Sequence, residues 1–451
     1  MRVLQLPYLR QPQLLINQIK DASGLIWFHE GGKQGQCEWF SAWPDRNFEY
    51  LGNHQTRVTD VHGQQQMVSG DFIELLKATV CQSTASAKPG FTSGLAGHFS
   101  YDFGLERLNV HSKFTATNTP LAVVGNYRWS CYTNHHEQKT TLYIQDDCAA
   151  EVQQRIISLA DNAKQASLSN ANASKPVVGE WQSQMSKTAY SKSFQAIQNY
   201  LVEGDIYQAN LTRQWLSQSD DTDWQLYSAL VAAMPAPFSV FHRCATLSLL
   251  SVSPERFIEI KNRKITTQPI KGTRPRGDTP EQDSTLRTEL QNSEKDQAEN
   301  LMIVDLLRND IAKNATPGSV KVERLFEIQS FRNVHHLVST ITAELQEGSH
   351  PLDVLADAFP GGSITGAPKK RAMQIIDELE TVRRGAYCGS AFYLSDNGDL
   401  DSNILIRTLT QQADKLSCHG GGGIVIDSKE DEEYEESAIK VSRILKALRP
   451  H

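Results

Sequence analysis

The 451-residue chain lacks a continuous apolar run of the ~20 residues a membrane-spanning helix needs. Its longest apolar stretch, residues 229–241, is broken by Pro235 and Pro237. The opening Met1-Arg-Val-Leu-Gln-Leu-Pro7 carries no apolar core of a signal peptide, so neither export nor anchoring is signalled and a cytoplasmic protein is expected. Basic runs are missing as well. With 45 Lys+Arg against 52 Asp+Glu the net charge is −7, which gives nucleic acid and anionic membranes nothing to hold by charge alone. The seven cysteines (37, 81, 131, 148, 244, 388 and 418) are odd in number and scattered. They include no Cys-x-x-Cys and no Cys/His spacing of the zinc type, so reduced and mostly buried thiols are expected. No cysteine sits in a Gly-x-Cys-x-Gly elbow, which removes a glutamine-hydrolysing nucleophile. There is no internal repeat and no Gly-x-Gly-x-x-Gly turn, and Gly420–Gly423, read as lying between strands, lacks the Lys-Ser/Thr of a phosphate loop.

What remains is an ordinary globular composition, 39% hydrophobic and 22% charged, able to bury a large core. The length admits about three domains or one large α/β unit. A small, polar segment, 163–178, reads as a surface connection between an N-terminal part, 1–162, and a C-terminal part, 179–451. Strands are expected over Leu121–Tyr132 and Thr140–Ile144, and a helix over Ala149–Ala160.

Chemistry-bearing residues gather between positions 200 and 440. Ser293 and Asp296 open a helix on which Glu299 shares a stripe with Met302, Ile303, Leu306 and Leu307. Its carboxylate then points toward the core, where it needs a cation or a proton; the plainer reading is an acid favoured by the helix N-terminus. A second acidic run, residues 427–436, opens the last helix, whose apolar face runs through Val441, Ile444, Leu445 and Leu448. There Glu436 and Lys440 are either a surface pair worth about 0.3–0.5 kcal/mol or, for Glu436 with Glu299, oxygen ligands of Mg²⁺. Lys271, in Pro269-Ile-Lys-Gly-Thr-Arg-Pro-Arg-Gly277, is a solvated loop cation or a nucleophile. The second role needs a free amine, which at pH 7 is only about one part in two thousand of an unperturbed lysine, and burial beside other cations raises that share. Glu255, in Ser253-Pro-Glu-Arg-Phe257, is a general acid if burial raises its pKa, or the ion partner of Arg256.

These segments, with Ala298-Glu-Asn-Leu-Met-Ile-Val-Asp-Leu-Leu-Arg-Asn-Asp310, Phe359-Pro-Gly-Gly-Ser-Ile-Thr-Gly-Ala-Pro-Lys369, Ile406-Arg-Thr-Leu409 and Gly422-Gly-Ile-Val-Ile-Asp-Ser428, resemble the chorismate-utilising enzymes over about residues 185–445. Residues 1–160 match more loosely, through Gly94-Leu-Ala-Gly-His-Phe-Ser-Tyr-Asp-Phe-Gly104. The resemblance implies a single α/β domain of the α+β type, two packed, largely antiparallel sheets with helices outside, which revises the three-domain prior. It implies Mg²⁺ held by Glu299 and Glu436 against one carboxylate of chorismate. Arg407, Tyr387 and the backbone of Gly421, Gly422 and Gly423 would hold the other, while Thr273, His336, Ser363, Thr365 and Lys440 match further pocket positions. Within the family, anthranilate synthases carry Ala where this chain has Lys271, whereas aminodeoxychorismate synthases carry a Lys that attacks C2 of the ring. Glu255 would protonate the departing C4 hydroxyl. Isochorismate and salicylate synthases use a basic Lys where this chain has Gln208, which can hold ammonia but cannot deprotonate water. Ammonia would come from a glutamine amidotransferase subunit in a heterodimer. Family members can also bind tryptophan against the N-terminal half; here Glu30 replaces the expected Ser while Pro237-Phe-Ser239 keeps the other wall, so tryptophan feedback is not expected. A non-catalytic chorismate-binding homologue is the remaining alternative, against which Glu255, Lys271, Glu299 and Glu436 argue.

Overall fold

A computed structural model describes residues 1–31, 36–80, 90–115, 118–165, 176–331 and 334–449. Most of the 163–178 connection, and Cys81, lie outside them. The described residues form two twelve-stranded sheets in which every strand pairing is antiparallel. Both sheets mix strands from the two ends of the chain: the first runs from Arg2–Leu6 to Gln182–Ser183, the second from Ile270–Pro275 to Gln65–Ser69.

The strand Ala122–Tyr127 is buried at every position because its hydrophobic run is covered on both faces. The core divides accordingly. One large cluster, with Phe99, Phe103, Phe359 and Phe392, includes the inner face of the Glu294–Ala312 helix through Ile303 and Leu307. A second, with Trp27, Trp129, Trp224 and Tyr227, takes in the Glu430–Ala447 helix through Val441 and Ile444. Ser293 caps the first of these helices, its Oγ accepting from the Asp296 N–H at 3.3 Å. The expected helix after Ile144 runs Ala150–Gln165.

The glycine run is placed differently from the sequence reading. Gly420–Gly423 lies inside the strand Lys415–Ile424, paired along its length with Gln208–Gln218, not between strands. Composition suggested a loop, but ladder pairing over ten residues holds the segment extended. Glycine is required there by close approach. A Cβ on Gly422 would stand 2.9 Å from a Glu433 carboxylate oxygen, and one on Gly423 would stand 2.8 Å from the Gln208 amide. No helix of the described residues is long and apolar enough to cross a membrane.

Candidate active site

Glu255 follows the strand Ser248–Ser253, in the turn before Arg256–Lys261. Its carboxyl is buried and accepts a hydrogen bond from Ser363 Oγ at 3.1 Å. Burial pushes its pKa up to about 7, outweighing the opposing pull of the Lys271 charge and the Ser363 hydrogen bond. Arg256 is not its partner: that guanidinium pairs with Asp401 at 3.0 Å and Glu259 at 3.2 Å. Of the two readings of Glu255, the ion pair is excluded, and a carboxyl able to hold a proton near neutrality remains.

Lys271 is on the strand Ile270–Pro275, paired with Val334–Glu344. The register shifts between Lys271 and Thr273, so Gly272 is an extra, bulged residue with φ +77°. The bulge re-aims Lys271 inward, and its Nζ reaches the Ser363 carbonyl at 3.4 Å. Burial lowers its pKa, and the Lys440 charge acts in the same direction against Glu299, Glu255 and Glu436. The solvated-loop reading therefore fails.

Around this pair the remaining candidates fall into three groups. Gln208, fully buried, donates from Nε2 to Asn210 Oδ1 at 3.2 Å, and Asn210 donates from Nδ2 toward the Ser363 carbonyl at 3.4 Å and from its backbone N–H to the Thr365 carbonyl at 2.8 Å. Gln208 Oε1 is buried and has no hydrogen-bond partner among the described residues. Thr365 itself is tied by Oγ1 to the Gly361 carbonyl at 3.0 Å. The second group is acidic. Glu299, partly buried on its helix, has its pKa raised by burial first, with Asp296 and Glu436 adding repulsion against the Lys271 and Lys295 charges. Glu436, on the helix Glu430–Ala447, is half-exposed, 2.6 Å from Lys440 Nζ, which also donates to the Gly421 carbonyl at 2.9 Å. In the third group, Thr273 Oγ1 meets His336 Nδ1 at 2.8 Å. Burial and the Arg407 charge lower the pKa of His336 to about 4, so the imidazole is neutral at pH 7.

Arg407 has φ +50°, half-buried, and no hydrogen bond from its guanidinium to protein is found among the described residues. Its pKa is lowered by burial and by Arg443. Tyr387 is buried and stacked on His419, ring centroids 5.1 Å apart at 11°, and burial holds its phenol neutral. The sequence reading did not single out Asn210, nor the buried pair Glu380 and Arg384 behind it. Arg384 Nη2 reaches Glu380 at 2.7 Å and the Asn210 carbonyl at 3.0 Å, Nη1 takes the Ile364 carbonyl at 2.9 Å, and Glu380 accepts from the Thr212 N–H and Oγ1. No one-dimensional signal separates this pair from a surface one. A cavity of about 350 Å³ lies elsewhere, lined among others by Phe28, His29, Glu30, Phe238 and Ser239, so the two walls that the resemblance assigns to tryptophan line one space.

A family model for chorismate binding enzymes matches residues 33–446. The chain is 46% identical over 359 residues to aminodeoxychorismate synthase component 1 of Klebsiella aerogenes, covering 79% of this chain and 78% of that protein. It is 32% identical over 419 residues to anthranilate synthase component 1 of Acetivibrio thermocellus, 88% of this chain and 83% of that one. Among solved structures it resembles anthranilate synthase component I from Streptococcus pneumoniae, with TM-score 0.79 and 26% identity over 92% of this chain and 93% of that chain.

Proposed function

The chain belongs to the chorismate-binding enzyme family, and from that premise we propose that it converts chorismate and ammonia to 4-amino-4-deoxychorismate, as component 1 of an aminodeoxychorismate synthase. The observation that carries this reading is Lys271, an amine with lowered pKa held inside the site beside a carboxyl that keeps a proton near neutrality. A free amine and a protonated acid are the two forms a displacement on a cyclohexadienol needs at once.

Lys271 Nζ adds at C2 of the ring as the C4 hydroxyl leaves, and Glu255 supplies the proton that turns it into water. Ammonia then adds at C4 while the amine leaves from C2, so the lysine is regenerated and the enolpyruvyl ether stays intact. Gln208 Oε1, buried and unpartnered among the described residues, suits the N–H of incoming ammonia. Arg407, with a free fork, suits a substrate carboxylate by bidentate hydrogen bonding, beside Tyr387 and the amides of Gly421, Gly422 and Gly423. Ser363, Thr365, Thr273, His336 and Lys440 shape the rest of the pocket.

The donor set also suits Mg²⁺. Glu299 and Glu436 bring two carboxylates, from two helices, close enough to raise the proton affinity of Glu299, an all-oxygen arrangement of the kind magnesium accepts. When bound, the ion neutralises a substrate carboxylate. The name "component 1" carried by the relatives marks each as one part of a larger enzyme, and here the other part would be an amidotransferase that delivers ammonia.

Incubation with chorismate, an ammonium salt and Mg²⁺ tests the reading. Formation of 4-amino-4-deoxychorismate is expected. Fluorescent anthranilate as the product, or no turnover, overturns it.

A further inference from the structure

Outside the catalytic cleft, one cluster of side chains has the composition of a metal site and no place in the reaction. His98, on the strand Gly94–Phe99 of one sheet, faces His242, on the strand Phe238–Arg243 of the other, with their Nδ1 atoms 3.2 Å apart. Cys244, in the turn just beyond, brings its Sγ to 3.6 Å from the same His242 nitrogen. All three ligand atoms lie within 4.8 Å of one another, and both imidazoles are about 1% exposed. The cluster sits at the turn end of the hairpin Phe238–Ser253, whose open end carries Glu255.

We propose that His98, His242 and Cys244 form a binding site for a thiophilic divalent cation, zinc by its donor set, which staples the two sheets together. The distances carry the argument. With Zn–N of ~2.0–2.1 Å and Zn–S of ~2.3 Å, a tetrahedral ion spaces two of its nitrogens ~3.3 Å apart and a nitrogen and a sulfur ~3.5 Å apart. Two edges of the cluster, 3.2 Å between the imidazoles and 3.6 Å from imidazole to thiol, lie within about 0.1 Å of these values before any ion is present. Without metal, a single N–H shared between the facing Nδ1 atoms satisfies both of those nitrogens. Metal binding replaces that hydrogen bond: the shared proton moves to Nε2, both rings stay neutral, and one proton leaves the thiol for water as the metal–sulfur bond forms.

Two further features fit a bound cation. Cys244 lines a cavity of about 210 Å³ together with Glu49, Arg57 and Arg243, which gives an ion a way in from the side of the thiol. A zinc ion with one thiolate leaves a single positive charge in a buried place, where charge is costly without a counter-ion. Glu49, about 2% exposed, supplies the opposite charge: one oxygen pairs with Arg57 at 3.0 Å, and the other is buried with no hydrogen-bond partner among the described residues. The fourth coordination position is open to water from the same cavity.

The test uses the full chain, freed of any tag and of bound metal, in excess Mg²⁺ so that the cleft carboxylates are saturated, and titrates it with Co²⁺. One equivalent is expected to give the visible absorption of a tetrahedral ion together with a thiolate-to-cobalt charge-transfer band, displaced by Zn²⁺, and Zn²⁺ is expected to raise Tm. Cys244→Ser should abolish the charge-transfer band, and His98→Gln should weaken binding at least tenfold, with circular dichroism reporting that each variant is folded. The wild-type titration stands even if the variants do not fold. Absence of the band in wild-type protein, or an unchanged band in folded Cys244→Ser, overturns the proposal.

Discussion

Two Glu-to-cation pairs in this molecule share a four-residue spacing and nearly the same length, yet they behave as opposites. Glu380 and Arg384 meet at 2.7 Å and are 4% and 1% exposed, whereas Glu436 and Lys440 meet at 2.6 Å and are 49% and 45% exposed. Every nitrogen of the Arg384 guanidinium donates, to Glu380 and to the Ile364 and Asn210 carbonyls, and Glu380 accepts twice from Thr212. Such a pair is held by protein on all sides and closed to a substrate by burial. It ties down the backbone carbonyls of Asn210 and Ile364. The pair on the last helix is open to the cleft, with the Gly421 carbonyl as its further partner among the described residues, and so are Lys271, Glu299 and Arg407. Charges completed by the fold are structural, and those left incomplete are available for chemistry.

The sharpest way to break this comparison is to truncate an incomplete group and look for damage to the fold. Lys271→Ala is expected to reduce kcat by a factor on the order of 10³ or more, because the covalent step loses its nucleophile, while Tm stays level or rises as a buried amine is removed. Steady-state turnover beside a thermal melt reads both quantities. A fall in Tm comparable to that of a core truncation would place Lys271 among the structural charges.

Arg384→Met is the opposite experiment. Removing one partner of a buried pair strands Glu380 and the Ile364 and Asn210 carbonyls, at an expected cost of about 3–5 kcal/mol in denaturant unfolding. Activity should fall only through loss of folded protein, so turnover per folded molecule is the measurement that separates the two pairs.

These contrasts also explain what a sequence can and cannot reveal. Lys271, Glu255, Glu299 and Glu436 were visible because each sits in a run whose residue types are unusual for its neighbourhood. All four carried two readings, and burial decided two of them: Glu255 is enclosed with Ser363 rather than paired with Arg256, and a bulge at Gly272 turns Lys271 inward. The paired antiparallel sheets came through the family pattern rather than through periodicity, since strands covered on both faces, such as Ala122–Tyr127, show no alternation. Gly420–Gly423 was misplaced because a glycine run reads as a loop until its ladder partner is known. Glu380 and Arg384 were passed over because their spacing is that of any solvated pair, and His98 and His242, 144 residues apart, meet only when the sheets pack.

Glu255 sharpens the comparison through pH. Its carboxyl is buried yet incomplete, with a pKa of about 7 against 4.5 for the free side chain. The folded protein therefore binds this proton more tightly than the unfolded chain. The associated stability is fully present below about pH 4.5 and is lost as pH rises through about 7, amounting to about 3 kcal/mol at its limit. Glu255→Gln keeps the shape and removes the ionisation. The variant should match wild type at pH 4.5 and exceed it at pH 8.5 in urea unfolding, while kcat drops by roughly 10²–10⁴-fold with the loss of the acid. In the wild type, kcat/KM should decline as pH rises through about 7, and equal stability of the two proteins at pH 8.5 would contradict the buried, raised carboxyl.

The smallest effect on stability belongs to the exposed pair, and for that reason it discriminates well. Lys440→Met breaks an ion pair whose members are nearly half open to water, so the stability lost should be no more than about 0.5 kcal/mol and should vanish in high salt. The local electrostatics change more. Lys440 raises the charge density beside Lys271, helping to keep that amine free, and it offsets Glu436 where two carboxylates approach each other. Removing it should let the Lys271 pKa climb, so the alkaline shift needed to free the amine grows and the rising limb of kcat against pH moves to higher pH. A pH–rate profile beside an unfolding curve tests both halves. A large loss of stability with an unmoved profile would make Glu436 and Lys440 a structural pair like Glu380 and Arg384, and the division between completed and incomplete charges would not hold.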